Sequence, residues 1–186
     1  GVLLWPNFER SKHVRRELSR LRRRHFSSAS SASSGGAAAG AAAGAEPQRR
    51  YKLVNGANPS RTWQLLDAYH VAKHGSNWLT KRYFDAMAAA DADASVNFSM
   101  HSVELYEEGA DVDSTLPLAG EIGFSVGRVY TSLSGWTQVR SAENYGTAQL
   151  VLLGRWLQKR KYAFWSLGHC YCPAMQYKRE LGQRIF

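Results

Sequence analysis

Between Ser27 and Gln48 the chain reads SSASSASSGGAAAGAAAGAEPQ, without one aromatic or branched apolar side chain. Such a run has nothing to bury, and each interspersed glycine costs a helix about 1 kcal/mol relative to alanine. It is therefore expected to be a disordered insert or linker, spanning residues 27–50 with its polar flank. Whatever folds must be assembled from residues 1–26 and 51–186. That length supports one core with a short appendage and not two full domains. Six Trp and nine Tyr supply large, rigid side chains for that core.

Charge is distributed unevenly around the insert. The net charge is +9, and residues 1–26 hold eight Lys or Arg against Glu9 and Glu17. Val14, Leu18 and Leu21 recur at i, i+4 and i+7, which predicts a helix with one apolar face and arginines on the others. A basic amphipathic helix of this kind suits a polyanion, RNA before an anionic membrane surface. The same acid-poor start followed by Ser and Ala also has the composition of an organellar transit peptide.

The two cysteines, Cys170 and Cys172, stand one residue apart, so an extended chain points them to opposite sides and no disulfide is expected between them. With His169 they fall short of a four-ligand zinc set, and no metal is expected. This cysteine usage fits a reducing compartment. No stretch approaches eighteen consecutive apolar residues, which argues against a membrane-spanning helix.

Beyond the insert the periodicity changes several times. Tyr51 to Val54 is a short strand candidate. Asn58-Pro59-Ser60 is a helix start, leading into a Trp63, Leu66, Tyr69 stripe that ends near Gly75. Thr80 caps a second helix carrying Tyr83, Phe84 and Met87. HSVELYEE, EIGFSV and VYTSL then alternate as three antiparallel strands. Leu150, Leu153 and Leu157 mark a helix from about Ser141 to Lys159. YAFW at 162–165 reads as a compact buried strand, and a last helical turn is expected from Pro173 to about Leu181. The order is α+β. It resembles the GNAT-type acyltransferase fold, a mixed sheet flanked by helices, here preceded by the basic helix.

Several strings resemble the leucyl/phenylalanyl-tRNA-protein transferase family. GVLLWPNFERSKHVRRELSR is similar to the segment leaving that family's small N-terminal domain, which makes the basic helix part of the fold. NWLTKRYFDAM matches its Trp-hydrophobic-Thr motif through Trp78 and Thr80. MHSVELYE is similar to its His-Ser-hydrophobic-Glu strand, and AGEIGFSVGRVYTSLSGW to its Gly-rich strand pair. RELGQRIF is similar to its ending. The resemblance implies three parts: residues 1–26 as the end of an N-terminal domain, 27–50 as an insert, and 51–186 as the acyltransferase domain. Because the chain begins without Met and partway into the resemblance, it reads as a fragment.

The resemblance implies transfer of leucine or phenylalanine from aminoacyl-tRNA to the N-terminal amine of proteins beginning with Arg or Lys, a tag for degradation, with no cofactor. That reaction needs a neutral amine held near the ester carbonyl and a stabilised oxyanion. It also needs an apolar pocket and surfaces on which the terminal adenosine can stack. Trp78, Phe124, Ser134, Trp136 and Trp165 are the candidate substrate-binding residues, with Trp78, Ser134 and Trp165 expected to converge on one cleft. Lys12, Arg15, Arg16, Arg20 and Arg23 are the candidate tRNA contacts. Two departures stand out. Leu133 occupies the position of the family's glutamate, and Ser166-Leu167-Gly168 replaces its Asp-Cys-Gln. Ser166, Glu121 and His101 are the candidates left for the catalytic role.

A second reading is a catalytically silent relative that binds RNA or protein, inside a ribonucleoprotein assembly for instance. A third, an acyl-coenzyme A N-acyltransferase, lacks its pyrophosphate signature between Arg140 and Tyr145. The expected compartment is the cytoplasm, with a mitochondrion or other organelle as the alternative.

Overall fold

Helix and strand boundaries in the computed structural model, which describes residues 2–23, 51–138, 144–168 and 177–182, follow the local signals closely. Asn58 caps helix α3 (Pro59–His74) by accepting from the Arg61 amide at 3.2 Å, and Gly75 ends it at φ 77°, a conformation glycine adopts without strain. Thr80 caps α4 (Lys81–Ala92) through the Tyr83 amide. The alternating segments form β2 (Tyr51–Asn55), β3 (Ser99–Glu107), β4 (Ala119–Val126) and β5 (Val129–Thr137), successive antiparallel neighbours. Helix α5 (Tyr145–Lys159) then crosses over to β6 (Phe164–Ser166), which lies parallel to β5. A parallel pair requires such a crossover, and α5 supplies it.

The N-terminal segment contributes more than a basic helix. Val2 and Leu3 form β1, antiparallel to β6, and α1 (Trp5–Arg10) and α2 (Lys12–Arg23) follow. The strand order is β1-β6-β5-β4-β3-β2, one mixed six-stranded sheet. Phe8 and Trp165 meet edge to face at 6.1 Å, and Trp5 Nε1 donates to the Tyr162 carbonyl at 2.6 Å. Residues 2–23 thus share sheet and core with the rest. The expected boundary and the insert lie outside the described residues, as do His169, Cys170, Cys172 and the first part of the expected last helix, of which α6 (Tyr177–Glu180) is described.

Residues paired across neighbouring strands share a face. Val103, Leu105, Ala119, Tyr130 and Trp165 face α5, where Val151, Leu153 and Leu157 meet them with Phe8 and Val14. Gly154 explains how α1 comes so close: a Cβ there would stand 2.4 Å from Phe8 Cζ. The opposite face packs Ile122 and Trp136 against Leu66, Leu79, Phe84 and Met87.

The β4–β5 ladder slips at Ile122/Gly123, where Gly123 pairs with Ser132 and Ile122 with Ser134, leaving Leu133 as the extra residue of a bulge. Gly123 leaves room for the Tyr130 side chain, whose hydroxyl would lie 2.4 Å from a Cβ at that position. That hydroxyl reaches Glu121 at 2.8 Å.

Candidate functional site

Helices α3 and α4 pack over β3, β4 and β5 but leave one end of their face uncovered. Val126 pairs with Val129 and Val129 with Phe164, so the three form one row across the sheet, exposed by 49, 39 and 44%. The YAFW segment is therefore not the wholly buried strand expected: Trp165 is fully buried, while Phe164, on the other face, is open. The next row is Phe124, Thr131 and Ser166, with Phe124 stacked on Phe98 at 5.4 Å. Beyond it lies the bulge, where Leu133 packs toward the Ile122 and Trp136 cluster. This half-open face is an apolar floor set with hydroxyls.

Ser134, beside the bulge, meets His70 of α3. The Nε2 atom of His70 lies 3.0 Å from Ser134 Oγ and 3.2 Å from the Gly135 carbonyl oxygen. Desolvation holds the His70 imidazole below its usual 6.5, a shift opposed by the Gly135 hydrogen bond and reinforced by His74 and Lys73.

Of the residues singled out from sequence, Phe124, Ser134 and Ser166 share this face. Leu133 joins them, so the two departures from the family pattern fall on adjacent strands of one surface. Trp136 is on the same face but buried beneath α3, its indole Nε1 without a hydrogen-bond partner among the described residues. Trp78 stands on the α3–α4 connection, 55% exposed and 6.4 Å from the Tyr83 ring. Trp165 is on the opposite face, donating to Ser132 Oγ at 3.0 Å. The expected convergence of Trp78, Ser134 and Trp165 on one cleft is thus not found: strand alternation puts Ser134 and Trp165 on opposite sides of the sheet.

Glu121 and His101 also lie on the α5 side. Glu121 is 2% exposed and accepts from the Tyr130 and Ser132 hydroxyls, both at 2.8 Å, closed off from the open face by the sheet itself. His101 uses both ring nitrogens, with Ser125 at 2.9 Å and Asn55 at 3.3 Å, and burial lowers its pKa.

Lys12, Arg15 and Arg16 project outward from α2, whereas Arg20 is held by Glu17; the Arg23 side chain lies outside the described residues. Lys12 also lines an open depression of about 460 Å³ with Arg10, His13, Arg179 and Glu180, well apart in the fold from the bulge.

Two features escaped the sequence reading. One is a buried carboxylate: Glu104 accepts from Arg61 at 2.7 Å, Thr62 at 2.8 Å and Tyr106 at 2.6 Å. Burial and the Glu104 carboxylate together push the Tyr106 hydroxyl well up. The other is His70, whose signal was its place one turn beyond Leu66 on the inward stripe of α3. Among the described residues, no three His, Cys, Asp or Glu side chains form a metal-binding group, and no helix is long and apolar enough to cross a membrane.

No protein-family model and no curated protein matches the sequence. Solved structures do match its fold. The C-terminal domain (DUF2156) of a candidate lysylphosphatidylglycerol synthetase from Agrobacterium fabrum is 11% identical with a TM-score of 0.52, over 91% of this chain and 46% of that one. A conserved protein of unknown function from Bacteroides thetaiotaomicron is 10% identical with a TM-score of 0.57, over all of this chain and 55% of that one. The chain therefore spans about half the length of these structures. At such identities the likeness speaks to fold alone: the protein has an α+β, GNAT-like fold, a mixed six-stranded sheet flanked by helices.

Proposed function

We propose that this chain is a divergent aminoacyltransferase that moves leucine or phenylalanine from aminoacyl-tRNA to proteins with N-terminal Arg or Lys. The observation that supports the reading is that Leu133 and Ser166 share one half-open face. These are the positions at which the family resemblance expects its catalytic carboxylate and the start of its Asp-Cys-Gln motif, and they lie on neighbouring strands beside a bulge. Phe124, Leu133, Val129 and Phe164 offer an uncharged surface for an apolar aminoacyl side chain. A lysyl group, as in the product named for the Agrobacterium fabrum protein, would call for a carboxylate. The glutamate buried on this face, Glu104, is already taken by Arg61.

In this reaction the amine attacks the ester carbonyl, the C–N bond forms, and the ester C–O bond breaks toward the ribose oxygen. An activated ester needs less acid-base help than an amide, so positioning supplies a large share of the rate. The outward cations of α2 would hold the tRNA, wherever charged tRNA is present, in the cytoplasm or an organelle.

The test is transfer of radiolabelled leucine, phenylalanine or lysine from charged tRNA, offered to an acceptor protein with N-terminal Arg and to phosphatidylglycerol vesicles. Leucine or phenylalanine appearing on the protein supports the reading, and lysine on the lipid replaces it. Leu133 also favours a second reading, a silent RNA-binding module. RNA binding that falls steeply with salt, without transfer to either acceptor, would establish that one.

A further inference from the structure

We propose that His70 is the proton acceptor of the aminoacyl transfer, standing in for the carboxylate that Leu133 replaces. This rests on the aminoacyl-transfer reading, and it begins with the hydrogen bonds at the bulge. The Gly135 carbonyl oxygen can only accept, and it lies 3.2 Å from His70 Nε2. Nε2 must therefore carry the ring proton, since a bare nitrogen there would set two lone pairs against each other. Ser134 Oγ, 3.0 Å from the same atom, shares that proton as a second acceptor. His70 is consequently not a base toward Ser134, and Ser134 is not an activated nucleophile.

The same assignment leaves Nδ1 as the basic atom. Nδ1 has no hydrogen-bond partner among the described residues, and the ring is half-buried with an anchored orientation. Fixing one imidazole nitrogen on a backbone carbonyl and leaving the other to react is how a histidine is set in one tautomer for proton transfer. The charged and titratable groups acting on it are Asp67, Lys73 and His74 of its own helix, with Tyr69 against its ring edge; the strand residues it touches, Ser134 and Gly135, carry no charge. Burial favours the neutral ring, the form that accepts a proton.

The step balances. The neutral acceptor amine adds to the ester carbonyl, Nδ1 takes the proton that the nitrogen must lose, and the electron pair of the breaking C–O bond goes to the ribose oxygen. That oxygen then receives the proton from Nδ1, leaving His70 as it began.

The experiment uses the full chain and the His70→Gln variant, whose amide keeps a donor for the Gly135 carbonyl but has no base. Single-turnover transfer is followed from pH 5 to 8. General-base assistance is worth about 10²–10⁴-fold, so a loss of about 100-fold with unchanged tRNA affinity is expected. Below the pKa of the acceptor amine, about 7.7–8.0, the logarithm of the wild-type rate should climb with slope one. It should steepen to slope two once pH drops below the His70 pKa. The variant should keep slope one throughout. An active wild type with an equally active variant, or a variant that steepens as the wild type does, overturns the role of His70 alone. An inactive wild type removes the transfer reading and this inference with it. Nitrogen-15 spectra of the histidine rings give an independent check: His70 must be the Nε2–H tautomer, and an Nδ1–H tautomer rejects the proposal whatever the activity.

Discussion

The two faces of the sheet each bury a glutamate, and they treat it in opposite ways. On the α5 face Glu121 accepts from two neutral hydroxyls, Tyr130 and Ser132, in a layer sealed by Phe8, Val14 and Trp165. On the α3 face Glu104 is matched by a guanidinium, and the far end of that face is left open along Val126, Val129 and Phe164. The closed face uses its polar groups to fix strands and helix in one arrangement. The other ties off its buried charge and keeps free surface. The difference argues that chemistry, if the chain performs it, belongs to the open half of the α3 face.

Adjacent residues of β6 test that division most strongly. Trp165 and Phe164 are sequence neighbours on opposite faces, the first fully buried and the second 44% exposed. Trp165→Ala should destabilise by about 3–5 kcal/mol, the range for a large aromatic removed from a packed core. Phe164→Ala should change stability by about 0.5 kcal/mol or less while weakening use of the aminoacyl substrate. Urea denaturation of both variants decides it. Equal losses would mean that the Phe164 face is covered, and the site would have to be sought elsewhere.

The next largest effect concerns the charge pair. Glu104→Gln leaves Arg61 without its buried carboxylate, and breaking such a pair should cost about 3 kcal/mol. Because Arg61 Nη1 also donates to the Val112 carbonyl at 3.1 Å, the loss should loosen the loop after β3 as well, visible as faster amide exchange at residues 110–114. An unchanged unfolding midpoint would show that solvent at the partly exposed Arg61 screens the pair.

Most of these elements were legible in the sequence because each carries a local signal. Asn58 and Thr80 announce helix starts, alternation marks β3 to β5, and the 14, 18, 21 spacing gives α2. What stayed hidden depends on register or distance. A two-residue strand such as Val2–Leu3 has no periodicity to read, and the Leu133 bulge inverts nothing in composition, yet it sets Leu133 and Ser134 on the α3 face together. Strand alternation alone could have put Trp165 and Ser166 on opposite faces, whereas the expected cleft of Trp78, Ser134 and Trp165 depended on the register between β5 and β6. The resemblance singled out Leu133 and Ser166, whereas His70 reaches Ser134 from a helix 64 residues away in sequence.

A smaller effect would sharpen the contrast from the open side. Leu133→Glu restores a carboxylate at the bulge without touching His70. If that half of the face is the reaction site, transfer should rise by about tenfold, a modest share of what general-base catalysis can supply. Single-turnover rates for Leu133→Glu, and for Leu133→Gln as its uncharged control, measure it. A carboxylate that leaves the rate where it was would detach the bulge from the chemistry.

The smallest effect should come from Glu121, and its pH dependence carries the information. Burial pushes the Glu121 carboxyl above its usual 4.5, against the opposing hydrogen bonds of Tyr130 and Ser132, while the Gln149 amide beside it has its Nε2 outside hydrogen-bond geometry. A folded-state pKa above the unfolded one gives stability that is complete below about pH 4.5 and is lost as pH rises through the folded value. Glu121→Gln mimics the protonated form. It should therefore cost about 1 kcal/mol or less at pH 4.5, and the difference from wild type should shrink or change sign by pH 7.5, because only the wild type must ionise or hold a proton against the solution. Denaturation of both proteins at pH 4.5, 6 and 7.5 reads this directly, since other titrating groups cancel in the difference. A penalty that grows with pH would instead mean an ionised Glu121 with a cationic partner, and Lys178, whose charge acts on it, would be that partner. The two buried glutamates would then be alike, and the faces would differ in exposure alone.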